Sequence, residues 1–191
     1  MTDSPARKTK SDRTRETILE AARLLFAEKG YDGTTVRDIA AAATIDPAMV
    51  IRYFGGKDLL FARAADIDLR LPDITTLPRA TVGEALVRHF LMIWENEAGT
   101  SALPVALRSA ASNELAAARL REIFASQVAP AIARLAGRDT PAVAGLVATQ
   151  ILGLAFTRYV LKLPPVVALT RDRLVAEVGR TIQSYIDGAQ R

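Results

Sequence analysis

TRETILEAARLLFAEKGYDGTTVRDIAAAATIDPAMVIRYFGGKDLLF, residues 14–61, decides the fold. Ile18, Leu19, Ala22, Leu25 and Phe26 recur at helical spacing, and Gly30 stands where such a helix would end. Thr35-Val36-Arg37-Asp38 reads as a capping box, with the Thr hydroxyl accepting from an orphan amide and Asp38 reaching back to the cap. A short helix follows to about Ala42, and Thr44-Ile45 makes a tight turn. Asp46 is a good N-cap, and Pro47 suits the first helical position, where its missing N–H costs nothing. That third helix runs to about Tyr53. Gly55-Gly56 breaks it, and a fourth begins near Lys57 with Leu59, Leu60 and Phe61.

Outward from this stretch the chain stays helical. The opening residues to about Ser11 are rich in Lys, Arg, Thr and Ser and are expected to form a flexible basic tail, residues 1–11. Thr81-x-x-Glu84 reads as a second capping box. The helix it opens, Val82 to Asn96, is apolar almost all round, with Glu84, Arg88 and Glu95 as its polar stripe, so it is expected at the centre of its domain. Residues 97–100 end it, and a shorter segment carries Leu103, Val105 and Leu107. Ser112 or Asn113 caps a longer helix through Leu135, bent at Pro130. Thr140-Pro141 starts another, which Pro164-Pro165 stops, and Thr170 caps the last, with Leu174, Val178, Ile182 and Ile186. Neither strand alternation nor an internal repeat is present. The expectation is an all-α chain of about nine helices.

Composition narrows the function. With 25 Lys and Arg against 21 Asp and Glu, the net charge of +4 is compatible with nucleic acid without requiring it. No cysteine is present, which excludes disulfides, zinc–thiolate sites and thiol nucleophiles, and a reducing cytoplasm is the natural setting. The longest apolar zone, residues 143–169, is interrupted by Thr149, Gln150, Thr157, Arg158, Lys162 and two prolines, so no membrane span is expected. The chain shows no nucleophile–base pair with an orienting group, no Gly-rich phosphate loop and no metal-ligand spacing. No enzyme, cofactor or metal is expected.

Three short helices, the last two joined by a four-residue turn, have the shape of a helix-turn-helix. Residues 14–61 closely resemble the signature of the TetR family of bacterial transcriptional regulators. The matches run in order through Phe26-Ala-Glu-Lys-Gly30-Tyr31, Thr35-Val36-Arg37-Asp38-Ile39-Ala40, Tyr53-Phe54 and Lys57-Asp58-Leu59-Leu60. The resemblance implies a DNA-binding domain over residues 12–60 with the helix-turn-helix at 35–54, and a regulatory and dimerisation domain over 61–191. It implies double-stranded DNA and a second copy of the chain as partners, a near-palindromic operator, and a small-molecule effector that releases the repressor. A regulator without an effector is the alternative; an enclosed apolar cavity would favour the first, a filled core the second.

By this resemblance Arg37, Pro47, Ala48, Met49 and Arg52 face base edges or nearby phosphates, and Thr35, Tyr53 and Lys57 contact phosphate. The residue chemistry agrees. Thr35 and Lys57 lie at helix N-termini, where free amides favour a phosphate oxygen. Arg37 and Arg52 alone here can donate bidentately to guanine, whereas Ala48 and Met49 offer only apolar contact. Tyr53, Ile39 and Phe54 suit the small core as well, Arg37 could be solvated or paired within its helix, and Arg7, Lys8 and Lys10 fit either a solvated tail or a DNA-tracking arm. Two positions depart from the family: Thr44 replaces the usual turn Gly, so the turn should adopt a conformation that tolerates a β-branched residue, and Ile51 replaces an aromatic, removing a hydroxyl contact.

In the body, Gly145, Thr149, Gly153 and Thr157 form a stripe of small residues on a helix apolar on most faces, a candidate dimer interface. Leu174, Val178 and Ile182 of the last helix join it by resemblance, in a four-helix bundle across the dimer. Phe61, Phe90, Trp94, Phe124 and Tyr159 are candidate walls of an effector pocket, with His89, the sole histidine, as either polar anchor or satisfied core residue.

Overall fold

The computed structural model describes residues 9–96, 102–135 and 140–188. Among them the chain forms ten helical rods and no strand. The head comprises α1 (Lys10–Lys29), α2 (Val36–Ala42), α3 (Pro47–Phe54) and α4 (Lys57–Ala64). An extended link with two 3-10 turns, Ile74–Thr76 and Arg79–Thr81, leads to α5 (Val82–Asn96) and then α6 (Ala102–Ser109). α7 (Glu114–Ile123) continues through a π turn, Phe124–Val128, into α8 (Ala129–Ala133). α9 (Thr140–Ala155) likewise continues through a π turn, Phe156–Val160; α10 (Pro164–Val167) and α11 (Arg171–Gly188) complete the body.

Local chemistry sets these boundaries, in several places differently from expectation. α1 begins at Lys10, because Thr9 and Asp12 form a capping box: the Thr9 amide donates to Asp12 at 3.0 Å and the Asp12 amide to Thr9 at 3.2 Å. Lys10 is therefore in a helical turn; Arg7 and Lys8 lie outside the described residues, as do 97–100. The Thr81–Glu84 box does not form. Thr81 donates instead to the Pro78 carbonyl at 2.8 Å in a 3-10 turn, and Glu84 pairs with Arg88 at 3.2 Å. Asn113 is the cap of α7, through the Ala116 amide at 3.0 Å. Where a bend is expected at Pro130, the helix passes through a π turn just before the proline, whose wider spacing accommodates the carbonyls that face the proline ring and its missing N–H. Pro164 and Pro165 begin α10 rather than ending a helix, since both occupy first-turn positions whose amides need no intrahelical acceptor. That short helix brings the rods from the nine expected to ten.

Two apolar cores result. The head core centres on Ile18, Ala22, Phe26, Ile39, Ala40, Val50, Leu60 and Phe61, and extends into Ala106, Ala116 and Ile123 of α6 and α7. The body core joins α5, α8, α9 and α11. α5 and α11 cross with almost no separation at Gly83 and Gly179: a Cβ at Gly83 would lie 2.2 Å from the Gly179 carbonyl, and one at Gly179 would lie 2.9 Å from the Glu84 backbone. Gln183 seals the crossing by accepting the Gly83 amide at 3.0 Å. This contact turns the apolar face of α11 inward. Leu174 and Ile182, expected on a dimer face, are buried within the monomer against α5, and Val178 is half-buried.

α9 is different. With its π turn it is long and apolar enough, by length and composition, to cross a membrane, its polar interruptions notwithstanding. It packs on α8 and α11 along one side. Its other side carries exposed Leu146, Leu152 and Phe156 beside Gly145, Thr149 and Gly153, and a Cβ at either glycine would meet only open space.

Candidate nucleic-acid interface and body cavity

Asp46 accepts the Ala48 amide at 2.7 Å, Pro47 occupies the first turn, and Gly55, in the left-handed conformation at φ 80°, closes α3 by donating to Ile51 at 2.7 Å. Val50 faces inward and is fully buried, which fixes the rotation of the helix. Ala48, Ile51 and Arg52 then face outward, while Pro47, Met49 and Tyr53 are half-buried. Arg37 and Arg52 are exposed, and neither enters an ion pair among the described residues.

The flanking groups are held by their own capping. Thr35 caps α2: its hydroxyl donates to Asp38 at 2.7 Å and accepts the Asp38 amide at 3.1 Å. The Thr35 hydroxyl, and after it the Thr35 amide, which donates to the same carboxylate at 2.9 Å, hold the Asp38 carboxyl below the usual range. Gly56 caps α4 with no side chain, so the first α4 amides keep no side-chain partner beside Lys57. The Lys57 ammonium lies 4.0 Å from the centre of the Tyr31 ring. Tyr31 donates to Asp58, and burial together with that carboxylate raises its phenol to about 12. The Arg15 guanidinium sits 5.4 Å from the centre of the Tyr53 ring, so Tyr53 packs at the edge of the core and reaches the surface as well.

The turn between α2 and α3 does not avoid strain. Thr44 adopts φ 55°, and the amides of Thr44 and Ile45 donate to Ala41 at 3.1 Å and Ala40 at 3.0 Å, the paired bonds of a Schellman ending. The turn keeps the geometry glycine would give it, at a cost of order 1–2 kcal/mol for a β-branched side chain.

The body contains a cavity of about 140 Å³ with an almost wholly apolar wall. Its lining includes His89, Phe90, Trp94 and Phe124 of the expected residues, together with Leu86, Val128, Ile132, Ile151 and Leu152. Two expected residues are elsewhere. Phe61 is buried in the head core, edge-on to Phe26 at 5.0 Å and to Tyr31 at 5.1 Å, because the inner face of α4 turns toward α1. Tyr159 stacks behind the wall on Trp94 at 4.7 Å, its hydroxyl donating to Glu95 at 3.2 Å. Burial, then the Glu95 charge, raises this phenol also to about 12.

Head and body meet through shared side chains. Leu120 and Ile123 of α7 line the cavity and also pack against the head core. Leu69 and Leu71, on the link after α4, line it too, and that link is clamped three times. Gln127 donates to the Ile67 carbonyl and accepts the Leu69 amide, both at 2.7 Å, while His89 Nε2 meets the Leu69 carbonyl at 2.7 Å. His89 is thus satisfied and part of the wall at once. Arg70, at φ 44°, kinks the same link. Sequence reading missed Gln127, Leu69 and Leu71, because their roles depend on a long-range fold contact that no periodicity announces. Among the described residues no group of three or more His, Asp or Glu side chains could hold a metal.

Comparison with known proteins fits this architecture. A family model described as bacterial regulatory proteins, tetR family, matches residues 18–64, and one described as tetracyclin repressor-like, C-terminal domain, matches residues 80–186. The chain is 39% identical over 75 residues to the HTH-type transcriptional repressor Rv3405c of Mycobacterium tuberculosis, a match covering 38% of this chain and 40% of that protein. It is 46% identical over 44 residues to the probable HTH-type transcriptional regulator YttP of Bacillus subtilis, covering 23% of this chain and 21% of the relative. These matches span less than half of either relative. Over 96% of its length the chain superposes on a TetR-family regulator from Streptomyces coelicolor, covering 99% of that chain at 32% identity and a TM-score of 0.61. The SmeT–triclosan complex shares the fold over 93% of this chain and 91% of its own, at 21% identity and a TM-score of 0.64. The length of both family-model matches and the full-length superposition place the chain in the TetR family of bacterial transcriptional regulators.

Proposed function

We propose that the protein is a sequence-specific DNA-binding repressor of the cytoplasm that grips a near-palindromic operator as a homodimer and is released by a small, largely apolar effector. The observation that carries this reading is the shared α7 wall, where Leu120 and Ile123 touch both a hollow body and the core of a DNA-reading head. α3 enters the major groove, with Ala48 and Arg52 toward the bases and Arg37, Pro47 and Met49 beside them. Thr35, Tyr53 and Lys57 hold phosphates at the two ends of the reading unit.

A single head buries little surface, and the exposed face of α9 supplies the dimer. Gly145, Thr149, Gly153 and Thr157 allow close approach, while Leu146, Leu152 and Phe156 provide apolar area that the monomer leaves uncovered. α11 supports this face from within rather than forming it. A cavity of about 140 Å³ is close to the ~150 Å³ engineered cavity known to admit benzene, so a neutral aromatic or aliphatic molecule fits it. One fold neighbour, SmeT, is known in complex with triclosan. The ligand would press on Ile123 and on the clamped link at Leu69 and Leu71, shifting α4 and with it the spacing of the two heads. It changes DNA affinity only by its differential affinity for the two states, about 1.4 kcal/mol per tenfold. A regulator without an effector would have a filled body core.

Selection of bound duplexes from a random pool tests the reading: a near-palindrome with half-sites about one helical turn or a multiple apart is expected. A single unpaired half-site, or a monomer at micromolar concentration in sedimentation, would exclude the dimer. Lys57→Ala should weaken binding to all sequences alike and lower the salt slope by about 1. An unchanged slope removes Lys57 from the interface.

A further inference from the structure

We propose that Ile51 is a base-reading residue: with Ala48 it forms an apolar patch that recognises the C5-methyl group of a thymine neighbouring the base held by Arg52. The proposal rests on α3 lying in the major groove. Ile51 is 56% exposed, although it sits in the middle of a helix whose inner face, at Val50, is fully buried. Ala48 stands three residues before it, close enough in a helix for the two side chains to touch. Arg52 follows on the same outward face. The patch is flanked by two cations that enter no ion pair among the described residues, Arg52 on α3 and Arg37 on α2, the charge complement of a nucleic-acid groove.

The chemistry narrows what Ile51 can read. An isoleucine can neither donate nor accept a hydrogen bond, so it cannot distinguish bases by their polar edges. The major-groove feature it can favour is the thymine methyl. Its branched Cβ restricts χ1, so the side chain is presented with little rotamer freedom left to lose. Water covers Ile51 in the free protein, and closure against a methyl group removes that water from both surfaces. The departure at this position therefore exchanges a polar contact for methyl recognition. Arg52, able to donate to guanine O6 and N7, predicts a T–G or G–T step within each half-site.

The test uses a duplex selected by the full-length protein from a random pool. Each thymine is replaced in turn by uracil, which deletes the methyl group and keeps every hydrogen-bonding edge. At one thymine per half-site, uracil should weaken wild-type binding about fourfold, the transfer value of one methyl group. Ile51→Ala removes the contact in both half-sites at once, so it should lose about fifteenfold on the thymine duplex and should not distinguish thymine from uracil there, whereas Ile51→Val should retain part of the preference. Substituting 5-methylcytosine at the same position separates the methyl from the rest of the thymine edge: partial recovery relative to cytosine is expected. The proposal is overturned if no uracil position weakens wild-type binding, or if the uracil effect persists undiminished in Ile51→Ala. Failure to enrich any duplex would overturn it together with the DNA-reading role on which it rests, and is distinguishable from both.

Discussion

Phe26, Tyr31 and Phe61 meet in the head with ring centroids 5.0 to 6.1 Å apart; Phe90, Trp94 and Tyr159 meet in the body at 4.7 to 6.2 Å. The two trios have similar contacts and different consequences. In the head the rings close a core in which Phe26 and Phe61 are almost fully buried among helices that hold α3 at a fixed rotation. In the body Phe90 and Trp94 form one side of a space that none of the described residues fills. A filled core resists deformation, because a radial gap of even 0.5–1 Å forfeits much of the dispersion energy of its walls. A hollow one exchanges shape more cheaply. Under the proposed function, the difference suits a rigid reading head joined to a compliant body that would sense the effector, with α7 common to both.

Truncation should separate the regions most sharply. Phe26→Ala should cost about 3–5 kcal/mol in urea unfolding, whereas Phe124→Ala, which enlarges an existing space from a half-buried position, should cost about 1 kcal/mol. Similar losses would mean that the body is as tightly filled as the head. Next in size is Gly179→Val at the α5–α11 crossing, where a Cβ already falls 2.9 Å from backbone; a loss of about 1–3 kcal/mol is expected, visible first in the fluorescence of Trp94, the sole tryptophan. No change in stability would contradict the close crossing. Enlargement inverts the test. Ala40→Leu in the head should cost about 2 kcal/mol, while Ala148→Leu, facing the cavity, should lie within about 1 kcal/mol of neutral. The smallest effect is a gain: Thr44→Gly should stabilise the head by about 1 kcal/mol by relieving the left-handed turn, and a loss of stability would show that the threonine is not strained there.

The same contrast explains what could be read in the sequence. The head is made of short helices whose ends are written locally: Thr35 and Asp38, Asp46 and Pro47, Gly55 and Gly56 each act within four residues of themselves. Reading one residue after another was enough to find them, and enough to place Ala48 and Arg52 on one reading helix. Thr44 shows the limit even there, since the paired hydrogen bonds of the turn outweighed the preference of a β-branched residue. In the body the decisive contacts are remote. Gly83 and Gly179 are separated by 96 positions, so nothing near α11 announced that Leu174 and Ile182 would turn inward. Phe61 and Tyr159 look like the other aromatics by spacing, and only the packing of α4 on α1 and of Tyr159 behind Trp94 removes them from the cavity. The link residues Leu69 and Leu71 lie in a segment with no regular pattern, where the hydrogen bonds of Gln127 and His89 set the path.

The proposed coupling of the hollow body to the reading head is tested most directly by operator affinity. It would be measured with and without a saturating neutral aromatic of benzene to naphthalene size, in the wild type and in Ala148→Leu. The wild type should lose at least about tenfold in affinity, equivalent to about 1.4 kcal/mol of coupling, and the filled variant should lose almost none while binding the operator normally in the absence of the compound. Equal losses in the two proteins, or unchanged DNA binding in a wild type shown to hold the compound, would contradict a cavity that governs the head.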